Sequence, residues 1–415
     1  MNYVFEAILF SLIGIILGFF CGLIPGIHPN TIGAIVAQML GQEQSTAIIL
    51  IAVIGTYSAV SFLPAMFLAI PEGNTQISLL PAQRMFKMGK AQEGLVVFSF
   101  SLCISAIVAL IIVFLFSDIV ASGFSIIKPY TAIILIIISL MLIAREKKIR
   151  KIIFATLVFG LSAILGFVSL NSHISDPLFA LFVGFFAIPA LMMHTDGQIK
   201  RKNDEEIEFK YIKNNESLKP LNIADKNERG AILFLPYIVL GVILGAIADY
   251  LPGVSTPSQL AVFSSIVSKK MDAQKFIAQI ASIEASHCVF SIASASKVNI
   301  ARVGAVAIAN EAYKFSEQNM GLFLAIFALS LGIGAFFILH LGKKIEHTIT
   351  NIRFEKIAKI LCVYLLALCF LLNGTYGIVV MSVATLIGFL PLKLNVSRTH
   401  VMGSIIVTSI IYALG

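Results

Sequence analysis

The sequence predicts an all-α polytopic membrane protein made of two inverted-topology repeats, and three observations carry that prediction. Of 415 residues, 58% are hydrophobic and 13% are charged, whereas a soluble domain of this size has about 25% charged residues. The apolar residues come in long runs, and Ile133–Ala144 and Ile152–Leu170 hold no charge at all. A Pro-Gly break after a glycine-spaced apolar run occurs twice, 227 residues apart. A mean hydropathy of +0.94 excludes a soluble enzyme, a nucleic-acid binder and a disordered chain.

A spanning helix needs about 20 apolar residues. The runs long enough to cross or half-cross are 4–24, 28–41, 46–70, 94–117, 129–144, 152–170 and 178–193, a first repeat over residues 1–193. The apolar stretch from Tyr3 to Ile24 has no Lys or Arg before it and ends in Pro-Gly rather than a small-residue cleavage site, so it reads as a retained helix. Residues 194–229 hold eight basic and eight acidic residues and read as a solvated linker. The runs resume at 231–251, 255–268, 276–296, 321–341, 358–372, 375–391 and 400–414, a second repeat over residues 230–415. The short runs 28–41 and 255–268 read as half-helices.

The net charge of +8 has a membrane explanation. Placing both termini outside the plasma membrane puts the loops 84–90, 145–151, 194–229, 269–275, 343–359 and 393–398 in the cytoplasm. Those loops hold all but four of the 30 Lys and Arg residues, as the positive-inside rule requires. The exceptions are Lys128, Lys297, Arg302 and Lys314. The five cysteines sit in apolar runs with no metal-ligand spacing, so neither a zinc site nor a disulfide framework is indicated, and no cofactor is implied.

The repeat reads residue by residue. Gly14, Gly18, Pro25 and Gly26 match Gly241, Gly245, Pro252 and Gly253; Phe86-Lys87 meets Tyr313-Lys314 and Gly94 meets Gly321, all at the same offset. Seven segments per half is an odd number, so the second half enters the membrane upside down relative to the first. Inverted repeats with broken helices are a recurrent design of secondary transporters.

The breaks place the candidate site. Proline removes a backbone donor and glycine admits positive φ, so a helix stops at Pro25-Gly26 and at Pro252-Gly253. His28, Asn30 and Thr31 follow the first break, and Ser255, Thr256 and Ser258 follow the second. Such residues cap a new helix and aim its positive end at an anion. A second pair of irregular stretches, Ala69–Ser78 with Asn74 and Thr75, and Ser296–Gly304 with Lys297 and Arg302, lies downstream in each half. Ionisable groups at membrane depth default to a functional role, and Arg is the better bidentate partner for a carboxylate. The alternative for Lys297 and Arg302 is that they snorkel to the external interface. Glu284 and His287, at i and i+3, share one helix face and are candidates for Na⁺ or H⁺ coupling, or a mutually satisfied buried pair. No Walker motif or hydrolytic signature is present in a credible context.

At these motifs the sequence resembles the large permease subunit of the tripartite tricarboxylate transporters. The family's opening is seen as Gly18-Phe-Phe-Cys-Gly-Leu-Ile-Pro-Gly26, and later motifs are similar to Ile70-Pro71, Met85-Phe-Lys-Met-Gly-Lys-Ala91, Leu251-Pro252-Gly253 and Ile283-Glu284-Ala285-Ser286-His287. This chain departs from the family at His28, where a small residue is usual, and at Ser286-His287, where asparagines are usual. The resemblance implies an ion-coupled carboxylate importer served by an extracytoplasmic binding protein and a small membrane subunit.

The reading is therefore a secondary active transporter for an organic anion, a di- or tricarboxylate, working by alternating access in the bilayer. The rival readings are a polyprenyl-phosphate or other lipid-carrier flippase, since helix N-termini suit a phosphate equally, and an intramembrane enzyme using His28, His287 and Glu284.

Overall fold

The computed structural model describes residues 3–24, 27–68, 79–146, 148–195, 233–250, 272–350 and 354–414. Among these the secondary structure is helical, without strands. The Pro-Gly breaks, the stretch 69–78, most of the polar linker and the run 255–268 lie outside the described residues.

The helices of the first half are α1 (Tyr3–Leu23), α2 (Pro29–Leu40), α3 (Gln44–Val60), α4 (Phe62–Leu68), α5 (Leu79–Lys87), α6 (Ala91–Ile127), α7 (Thr131–Ala144), α8 (Ile149–Leu170), α9 (Pro177–Phe182) and α10 (Ile188–Thr195). Residues Val183–Ala187 form a π-helical turn between the last two. In the second half come α11 (Leu235–Tyr250), α12 (Ala273–Val298), α13 (Gly304–Ala312), α14 (Glu317–Thr350), α15 (Phe354–Leu394) and α16 (Gly403–Leu414). Among the described residues, seven segments are long and apolar enough to cross a membrane: Val4–Leu23, Gln44–Leu68, Ala91–Asp118, Ile149–Leu170, Ala273–Val298, Glu317–Thr348 and Ala358–Leu394.

Two of these segments differ from the rest. The stretch Gln44–Leu68 and helix α12 are buried throughout their central parts, from Thr46 to Phe67 and from Phe276 to Ser296, whereas the outer helices turn rows of large apolar side chains outward, among them Ile133, Leu140, Ile164 and Val363. Apolar side chains facing outward are what lipid contact requires. The chain is thus an all-α, multi-pass membrane protein with a central pair of helices sheathed by the others.

The glycine spacing explains how the central pair is gripped. A Cβ on Gly14 would stand 2.6 Å from the Ala52 Cβ, and one on Gly18 would stand 3.0 Å from the Thr56 Cβ. In the second half a Cβ on Gly241 would stand 2.5 Å from the Ser282 Cβ, and one on Gly245 would stand 3.0 Å from the Ser286 Cβ. So α1 lies on α3 as α11 lies on α12, through small residues that let backbones approach. The glycines correspond at offset 227 and their partners at offset 230, three residues further on. Other contacts cross between halves: α14 and α13 pack on α3, while α6 and α5 pack on α12.

Helix α12 starts at a capping aspartate, Asp272, which accepts from the Lys275 amide at 2.9 Å, and ends where Asn299 turns left-handed at φ 55°. Its serine hydroxyls at 282 and 286 bond back to the carbonyls of Ala278 and Ser282, which keeps them satisfied in an apolar setting.

Two hydrophobic cores result, and each draws on both sides of the linker. The first joins α1 to α6 with α11 to α14, around Ile51, Phe62, Phe290 and Phe327. The second joins α7 to α10 with α15, α16 and one side of α11 and α12, around Leu135, Phe185, Ile280, Leu365 and Ile406. In the second core α8 and α16 meet backbone to backbone. A Cβ on Gly166 would fall 2.2 Å from the Ser404 carbonyl oxygen, and one on Gly403 would fall 2.4 Å from that of Phe159.

Three boundaries differ from the hydropathy reading. The predicted runs 358–372 and 375–391 form one helical stretch, α15, with a kink at Gly374 (φ 63°) in place of a loop. Helix α6 continues to Ile127 across a kink at Phe116. The basic segments 84–90 and 343–359 are largely helical, because α5 reaches Lys87 and α14 reaches Thr350. Charge marks the end of an apolar run, and a helix carries on past it.

Candidate functional site

The site is built where α2 and α13 begin. His28 is the N-cap of α2, and its Nδ1 accepts from the Asn30 amide at 3.3 Å, while Pro29 opens the helix where a missing N–H costs nothing. The imidazole lies edge-on to Tyr57 of the central α3, with centroids 5.6 Å apart. The next contact reaches the other half of the chain. A Cβ on Gly304, the first residue of α13, would fall 2.5 Å from Asn30 Nδ2 and 2.6 Å from its Oδ1. One turn on, Gly33 faces Ile308. The order of these contacts sets α2 and α13 side by side with both N-termini at the same end. Each N-terminus leaves first-turn amides without intrahelical partners and carries about half a positive charge. Asn30 Oδ1 is buried there without a hydrogen-bond partner.

The chain entering α13 is pinned by Ser291 of α12, whose hydroxyl accepts from the Arg302 amide at 2.9 Å and from the Val303 amide at 3.1 Å. This fixes Arg302 two residues before the helix. Its Nε donates to the Asp249 carbonyl at 3.3 Å, at the end of α11, and among the described residues no group accepts from its Nη atoms. A partly buried guanidinium beside two positive helix ends is an arrangement for an anion with planar oxygens.

The other predicted residues separate. Glu284 is buried and accepts from Ser58 of α3 at 2.9 Å, and Ser58 also lies 3.8 Å from the Cys288 sulfur. His287 points instead to α11, its Nε2 4.0 Å from Asp249 Oδ1. The i, i+3 pair therefore shares a face of α12 but serves two different neighbours. Lys297 lies elsewhere, with its Nζ 2.9 Å from both Asp118 and Glu317. Its charge is met by two acids at 2.9 Å, whereas among the described residues no acid lies within ion-pair distance of Arg302. Lys297→Gln is expected to leave the KM for transported substrate unchanged while lowering thermal stability in detergent slightly, a pattern read by uptake kinetics alongside melting.

Pro25, Gly26, Asn74, Thr75, Pro252, Gly253, Ser255, Thr256 and Ser258 lie outside the described residues, as does the side chain of Thr31. Among the described residues no group of three or more His, Cys, Asp or Glu side chains could hold a metal ion. The sequence reading passed over Asp249, Ser291 and Tyr57. Asp249 had a signal: it is an acid inside an apolar run, one turn beyond Gly245 on the glycine face. It is buried, and its carboxylate accepts from the Ser294 hydroxyl.

Fold and composition define a multi-pass membrane protein, and comparison with known proteins narrows the class. The profile of the tripartite tricarboxylate transporter TctA family matches residues 8–403. The chain belongs to that transporter family. It is also similar to an uncharacterized protein of Methanocaldococcus jannaschii, 26% identical over 430 residues, covering 98% of this chain and 99% of the relative. No solved structure matches.

Proposed function

We propose that the chain is the permease of a secondary transport system for a di- or tricarboxylate, with the substrate held where the N-termini of α2 and α13 meet. One observation carries the reading: Asn30 and Gly304, from opposite halves of the chain, bring two positive helix ends together beside Arg302. A carboxylate there would take hydrogen bonds from first-turn amides, Asn30 Nδ2 and the Arg302 fork. Pro252, Gly253, Ser255, Thr256 and Ser258 are proposed to bind the same substrate.

Corresponding helices packed through corresponding glycines support a duplicated scaffold, and we read it as inverted, so that alternating access exchanges the shapes of the halves. Both termini then lie outside and the linker 194–229 lies in the cytoplasm of the cell-membrane system. A small membrane subunit and an extracytoplasmic binding protein are the partners the family implies, and an ion gradient of Na⁺ or H⁺ is the energy source.

The test is uptake of labelled citrate and succinate into proteoliposomes. Asn30→Ala is expected to lower kcat/KM about tenfold, the cost of one lost hydrogen bond to a charged group, and Pro25→Ala with Pro252→Ala to lower it further. Wild-type rates in these variants would contradict the proposal.

A further inference from the structure

Asp249 and His287 form a second polar centre just behind the proposed anion site. Asp249 Oδ1 and His287 Nε2 are buried, 4.0 Å apart, and neither has a hydrogen-bond partner. A buried carboxylate oxygen and a buried ring nitrogen left open at that spacing lack one thing both can share, a proton. Glu284 has no such vacancy toward His287, since it is engaged with Ser58 across the central pair.

Resting on the transporter reading, we propose that Asp249 and His287 together carry the coupling proton, which makes the protein a proton symporter. The proton enters from the side open to substrate, bonds to Nε2 or Oδ1, and draws the two atoms into a hydrogen bond between α11 and α12. It leaves unchanged when the site opens to the other side. Arg302 links the proton to the cargo: its Nε holds the Asp249 carbonyl, and its Nη atoms face no described acceptor. A cation this close opposes a proton on either partner, and a carboxylate bound to Arg302 removes that opposition. Substrate and proton then favour each other's binding by the same factor, as linkage requires.

The pair is faced from several elements. On α12 Ser294 donates to Asp249, Ser291 and Cys288 lie near it, and Glu284 stands one turn before His287. Tyr250 follows Asp249 on α11, and Arg302 comes from the loop into α13. Helix α3 brings Ser58 to Glu284 and Cys288, while α6 and α14 direct Asp118 and Glu317 to Lys297. The side chains of Arg84 and Lys87 on α5 lie outside the described set.

The full chain in proteoliposomes tests this with labelled citrate and succinate, assayed both as exchange at equal pH and as uptake into vesicles one pH unit more alkaline inside. One proton per substrate gives up to about tenfold accumulation for that gradient. Asp249→Asn and His287→Gln are expected to retain exchange, which also shows that they fold, and to lose pH-driven accumulation. Accumulation that persists in both variants, or that follows Na⁺ and ignores pH, would overturn the proposal while leaving the carboxylate site intact. If the wild-type chain exchanges neither acid, the carboxylate reading fails, and infrared difference spectra on a pH jump still decide the pair. A carboxyl and an imidazole signal that change together and vanish in either variant support it, and signals that titrate independently overturn it.

Discussion

Arg302→Gln is expected to abolish carboxylate uptake while leaving the protein folded. Removing one partner of a desolvated, hydrogen-bonded charge pair costs about 2–5 kcal/mol, which is about 30-fold or more in kcat/KM. The fold keeps its other restraints there, because Ser291 accepts from the backbone amides of residues 302 and 303 whatever side chain is present. Glutamine can still donate to the Asp249 carbonyl. Arg302→Lys separates charge from geometry: it keeps the positive charge without the planar fork and should fall between the two. Uptake kinetics with a parallel thermal melt check both variants. Arg302→Gln with normal melting and normal uptake would remove Arg302 from the site.

Gly166→Val should have the opposite profile and fail to accumulate in the membrane. The three atoms nearest an added Cβ are the oxygen, Cα and carbonyl carbon of Ser404, all backbone and all within 2.6 Å. No rotamer change relieves such a contact, so α8 and α16 must separate, and overpacking of this kind costs about 3 kcal/mol or more. Gly160 on the same helix has open space around its Cα and is the control, since Gly160→Val should be tolerated. Expression and gel-filtration profiles of the two variants distinguish a specific crossing from a general intolerance of bulk in α8.

The sequence made the membrane class and most helices legible because hydrophobic length is a local property. Runs such as 152–170 and 276–296 lie inside helices 149–170 and 273–298. It read two segments where Gly374 only kinks one helix, since a glycine at positive φ and a loop look alike in hydropathy. The matched glycines were legible as a repeat, but their role was not. That Gly18 receives Thr56 and Gly245 receives Ser286 depends on packing across 38 to 41 residues.

The site was legible in part for the same reason. His28 and Asn30 announce a helix cap, and Arg302 stands out as a charge in an apolar setting. Lys297 looked equivalent to Arg302 until Asp118, 179 residues away, was placed beside it. Glu284 and His287 shared a face by spacing, but Ser58 and Asp249 sort them to different neighbours, and neither partner is near in sequence.

The central claim is that two helix N-termini and Arg302 hold a carboxylate in transit. Counterflow of labelled citrate and succinate across liposomes containing the purified wild-type chain tests it most directly, with a labelled polyprenyl phosphate assayed in the same vesicles. Saturable exchange of a carboxylate, lost in Arg302→Gln, with no translocation of the lipid is the expected result. Translocation of the lipid without exchange of either acid would contradict it.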